Sequence, residues 1–155
     1  MVIAILLALA GAVGLGWVAL HRPSATATSA FRSAYTRVAA SIDAHLPRAD
    51  LARQHREQTV LTSEINALAA AFDRFDADLK AIDFGPQADL ASAVQSATVR
   101  VNSDLHQLAA APAATNANAL TDDLQLWDQT NVALAAALGV VLPTSAPLGT
   151  PAATP

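Results

Sequence analysis

No cysteine occurs among the 155 residues, which excludes disulfides, thiolate metal sites, thiol nucleophiles and an acylated N-terminal cysteine. Aromatic residues make up only 5% of the chain although 53% of it is hydrophobic, and alanine alone supplies about a quarter. That composition favours close-packed helices over sheets. Cations are scarce too: nine Lys and Arg, only one of them Lys, face thirteen acids for a formal net charge of -4. Phosphate-backbone recognition needs a basic face, so nucleic acid is not an expected partner. Missing as well are a Gly-x-Ser-x-Gly turn, a Gly-rich phosphate loop, a Glu-x-x-His pair and the Asp-x-Asp-x-Asp-Gly spacing of a calcium loop. The chain reads as a non-enzyme with no cofactor, and its bias towards Arg and Ala fits a GC-rich bacterial genome.

What is present begins with Val2 to Leu20, nineteen residues without a charge. As a helix they would extend about 29 Å, matching a hydrocarbon core of about 30 Å. Trp17 suits the interface, and His21, Arg22 and Pro23 supply a polar flank and a helix interruption. Residues 1–22 are therefore expected to be a transmembrane anchor. The alternative is a cleaved signal segment, for which Ala25-Thr26-Ala27 offers a small-x-small site. Positive-inside logic opposes export, because Arg22, Arg32 and Arg37 follow the segment and no cation precedes it. A signal-like N-terminus and the tail PTSAPLGTPAATP favour export, so the expectation is a single-pass protein with its domain outside the cytoplasm.

After a linker at 23–29, residues 30–142 carry four helical stripes. Phe31, Tyr35, Val38, Ile42 and His45 step by three and four. Leu46-Pro47 is expected to end that helix, with Pro47 opening the next. Ile65, Leu68, Phe72, Phe75, Leu79 and Ile82 form the second stripe, extended back through Leu61, Gln58, Gln54 and Leu51, with Gly85-Pro86 as its stop. Leu90, Val94, Ala97, Val101, Leu105 or Asp104, and Leu108 mark a third helix ending at Pro112. Leu120, Leu124, Trp127, Asn131, Leu134, Leu138 and Val141 mark a fourth closed by Pro143. Short connections favour antiparallel neighbours, so the expected fold is an all-α, up-down-up-down four-helix bundle followed by a disordered Pro/Thr/Ala tail at 143–155.

Charge is unevenly spread. Six Arg face Asp43 and Asp50 between Arg22 and Arg56, whereas from Glu57 onward eleven acids face Arg74, Lys80 and Arg100. The stretch from Arg48 to Gln58 is the most polar of the chain. Arg48, Arg53, His55 and Arg56 are its candidate partner-binding residues, and an Arg53–Glu57 pair at i,i+4 is the bland alternative. If the helical turns near Pro47 and Pro112 share one end, His45, His55 and Asp104 become candidate metal ligands, two imidazoles and a carboxylate. Gln54, Gln58 and Asn131 sit on apolar stripes, where they would fix register. The run Asp73, Asp76, Asp78, Asp83 and Asp89 reads as a solvated face.

Two functions follow from this reading. The first is a membrane-tethered, extracytoplasmic interaction or scaffold module that binds another envelope protein. The second is a sensory or small-ligand/metal-binding bundle.

Overall fold

The computed structural model describes residues 24–111 and 117–143; the apolar segment at 1–22 and the tail from 144 lie outside them. The described chain is helical: α1 spans Ala25–His55, α2 Gln58–Lys80, α3 Ala88–Ala110 and α4 Ala117–Leu138, with a single 3-10 turn at Gly85–Gln87 ahead of α3. Successive helices pack side by side as a bundle. Cross-helix pairs fix their directions: Arg37 meets Asp78 and His45 meets Glu64 between α1 and α2, Asp73 meets Asn102 between α2 and α3, and Thr98 meets Trp127 between α3 and α4. In the first of these seams, numbers rise on one helix as they fall on the other, and short connections carry the same reversal through the bundle.

Helix α1 starts earlier than the expected boundary at 30. Ser24 caps it, its hydroxyl accepting from the Ala27 amide at 3.0 Å, so one of the orphan donors of the first turn is satisfied. Ala27 is buried, and Ala25 to Ala27 form the first turn of a packed helix.

Pro47 does not end α1. The helix runs straight through it to His55. Pro47 and Asp43 both face solvent, so the Asp43 carbonyl, which loses its partner because proline has no N–H, can turn to water. Continuing the helix also buries Ala49 and Ala52. The turn comes instead at Arg56, whose backbone is left-handed with φ 61°. There the Glu57 amide reaches back to the Ala52 carbonyl at 2.8 Å and the Arg56 amide to Arg53 at 3.2 Å, a Schellman closure that uses carbonyls the helix would leave unpaired. Leu51, Gln54 and Gln58 consequently fall outside the second stripe and are exposed.

The same device closes α4. Gly139, at φ 67°, takes the left-handed position, and the Val140 amide donates to the Ala135 carbonyl at 2.8 Å. The reversal folds Val140 into the core and leaves Val141 86% exposed, so the expected stripe slips by one residue at its last position. Helix α2 stops at Lys80, before Gly85-Pro86. The Asp83 carboxylate accepts from the Gly85 amide at 3.0 Å, and the intervening Phe84 is buried. In α3, Ala91 takes the core position expected for Leu90, which is left exposed.

Six of the chain's seven aromatic residues form one connected cluster in the core. Trp127 stacks on Tyr35 (5.6 Å between centroids, 7° between planes) and meets Phe72 and Phe75 edge-on at 5.3 and 5.6 Å. Phe31 links Tyr35 to Phe84, each at 6.3 Å. Trp127 of α4 thus meets both α1 and α2 through large rings.

Candidate functional site: the α1–α2 tip and its flanks

The end of the bundle that carries the α1–α2 turn holds most of the residues singled out from the sequence. Asn102 is level with Asp73, so the last turn of α3 at Ala110 lies near the level of Ile65. The α1–α2 hairpin continues roughly two turns further, about 10 Å. Every residue from Arg53 to Val60 is exposed on this overhang.

Its cations differ in their surroundings. Arg53 pairs with Asp50 at 2.7 Å, and Gln54 donates to the other oxygen of the same carboxylate at 3.0 Å. The expected Arg53–Glu57 pair does not form, because the left-handed Arg56 swings Glu57 out of the helical register. Arg48 and Arg56 have no ion-pair partner among the described residues. His55 lies exposed in the last turn of α1.

His45, His55 and Asp104 do not converge. His45 Nδ1 is 2.6 Å from Glu64 Oε2 across the α1–α2 seam, half-buried. His55 lies ten residues further along α1. Asp104 sits on α3 and faces Asp123 of α4. Burial there, reinforced by the negative charge of Asp123 and a hydrogen bond with it, pushes the Asp104 carboxyl above the usual carboxylate range. Among the described residues no group of three or more His, Asp and Glu is placed to hold a metal ion. Glu64 and Asp123, the two partners that matter here, carried no periodic signal in the sequence; only the register across a seam identifies them.

The buried polar side chains Thr98 and Asn131 both meet Trp127. Thr98 donates to the Val94 carbonyl at 2.8 Å and accepts from Trp127 Nε1 at 3.2 Å. Asn131 is fully buried, its amide donating to the Trp127 carbonyl at 2.7 Å. That carbonyl bond holds Asn131 against its own helix, and its Oδ1 has no partner among the described residues. Asn131 therefore occupies the stripe position the sequence assigned it, whereas Gln54 and Gln58 do not. The acidic run is a charged face in which Asp78 pairs with Arg37 at 2.8 Å and Asp76 with Lys80 at 2.5 Å.

Among the described residues no helix is long and apolar enough to cross a membrane. The chain matches no protein-family model, no curated protein and no solved structure.

Proposed function

We propose that this protein is a membrane-tethered, extracytoplasmic helical-bundle interaction module without catalytic activity. The observation that carries the reading is a sequence of parts: nineteen uncharged residues at Val2–Leu20, then Ser24 capping a 31-residue helix whose apolar face is used up inside the bundle. Where core stripes are consumed internally, binding falls to the outer surface. A helix of 31 residues extends about 46 Å. Anchored at its N-terminus, it would hold the α1–α2 tip that far from the lipid surface, a geometry suited to reaching another envelope protein.

Protease accessibility on intact cells carrying an epitope on the C-terminal tail, together with the mass of the mature chain, tests the proposal. A full-length chain with a cleavable tail is expected. A protected tail would put the bundle in the cytoplasm, and a mass lacking residues 1–22 would make the protein secreted; either result overturns the tether as stated.

A further inference from the structure

The outer seam of the α1–α2 hairpin can be followed residue by residue. Arg37 meets Asp78 and, two turns further along α1, His45 meets Glu64. Beyond His45, steps of three, three and four along α1 reach Arg48, Leu51 and His55, and a step of four back from Glu64 along α2 reaches Val60. Leu51 and Val60 therefore both lie on the outward side of the overhang, within about one helical turn of the same level. They are 55% and 42% exposed, while Ala49, Ala52 and Leu61 fill the neighbouring core positions.

The charges along this seam change character at the tip. Arg37 and His45 face acids on α2, and Arg53 is neutralised by Asp50. Arg48 and Arg56, on either side of Leu51 in the sequence, have no such partner among the described residues. Arg56 also occupies a left-handed cap position, where α4 uses Gly139. A side chain kept where glycine is the unstrained choice points to a role beyond the turn. Isolated exposed apolar residues are ordinary on protein surfaces; two of them on the outward side of one hairpin tip, with the unpaired Arg48 and Arg56 in the same stretch, combine the apolar and arginine components of a recognition patch.

We propose that Arg48, Leu51, Arg56 and Val60, with His55 at the edge, form a docking surface for an acidic amphipathic segment of another protein. Carboxylates of that segment would engage the two guanidiniums, and an apolar side chain would cover Leu51 and Val60. A sugar-phosphate or uronic-acid polymer would use the guanidiniums but leave both apolar side chains against water, so a protein segment fits the patch better. The inference rests on the interaction-module reading and supplies its partner chemistry.

In vivo photo-crosslinking of the full-length chain tests it, with p-benzoylphenylalanine in place of Leu51 or Val60 and, as a control, in place of the exposed Val132 on α4. Adducts are expected from the first two positions and not from the third, and mass spectrometry should place them on a segment rich in Asp and Glu. The double variant Arg48→Glu/Arg56→Glu should lower the yield at least about tenfold with the helical circular dichroism unchanged. Arg48→Gln/Arg56→Gln replaces it if charge reversal impairs folding. Four results would overturn the docking surface: yields no greater than from Val132, an adduct without acidic excess, an adduct to a second copy of this chain or to a carbohydrate polymer, or indifference to the loss of the two arginines. A tail accessible to protease in the same cells would then show that the display reading survives while the docking surface fails.

Discussion

The two ends of the bundle are built differently. Near the α2–α3 turn the core is a set of rings in mutual contact: Phe31, Tyr35, Phe72, Phe75, Phe84 and Trp127. Towards the α1–α2 tip no aromatic appears, and α1 packs on α2 through Ala49, Ala52 and Leu61. Rings bury large areas and gain further from edge-on and stacked geometry, whereas alanine contributes little area and lets helices approach closely. One end is thus secured by side-chain volume, while the other is a thin hairpin extending past its neighbours. The tip also carries two arginines, Arg48 and Arg56, with no ion-pair partner among the described residues.

Removing the central ring gives the sharpest test of that contrast. Trp127→Ala would leave Tyr35, Phe72 and Phe75 lining a cavity and deprive the Thr98 hydroxyl of its donor. A loss of about 3–5 kcal/mol is expected in urea unfolding, enough to unfold a domain of marginal stability. Leu61→Ala at the tip should cost less, about 2–3 kcal/mol at the low end of core truncations. Equal losses would dissolve the distinction between the ends.

Pro47 bears on the tip alone. It removes one hydrogen bond from the interior of α1 without ending the helix, so Pro47→Ala should stabilise the chain by about 1–3 kcal/mol. The gain should appear as slower amide exchange at residues 48–55 with little change around Trp127. A destabilised variant would mean that the local bend produced by proline is needed to seat Ala49 and Ala52 on α2.

Sequence periodicity located all four helices and nearly all of the ring cluster, because steps of three and four report which face of a helix is apolar. It failed where a helix stops. Pro47 has the sequence signature of a terminator, yet tertiary burial of Ala49 and Ala52 carries the helix through it. The actual stops at Arg56 and Gly139 depend on a left-handed residue, and Arg56 carries no sign of that in its side chain. The slip from Val141 to Val140 has the same origin. Of the candidate site residues, the basic ones lie together at the tip as their spacing implies. His45, His55 and Asp104 do not, since each one's neighbour depends on a seam register that no single helix encodes.

Arg56 offers a smaller test of the comparison between caps. Arg56→Gly relieves a non-glycine residue of a left-handed conformation, and about 0.5–1 kcal/mol of added stability is expected, by analogy with Gly139 at the end of α4. The docking proposal predicts weaker cross-linking from the same variant. Stability and partner capture should therefore move in opposite directions, the relation expected when strain at a functional position is retained.

Acid-base behaviour supplies the subtlest contrast, because it separates the α3–α4 pair from the rest of the surface. Burial, and then the adjacent Asp123 carboxylate, raise the Asp104 carboxyl above its ordinary value. A carboxyl whose folded value exceeds its unfolded one binds its proton more tightly in the folded state. Its contribution to stability is fully present below the usual carboxylate range and is lost as the pH rises through the raised value. Above that raised value the deprotonated Asp104 is both desolvated and set against the charge of Asp123 across the α3–α4 seam. Asp104→Asn removes the Asp104 charge and can still hydrogen-bond to Asp123, so the variant should be the more stable at any pH above the raised value. Its advantage should shrink as the pH falls through that value, where Asp104 of the unaltered chain regains its proton. Unfolding free energies measured for both proteins between pH 4 and 8 would show this convergence. A difference independent of pH would mean that Asp104 acts through packing rather than through its charge.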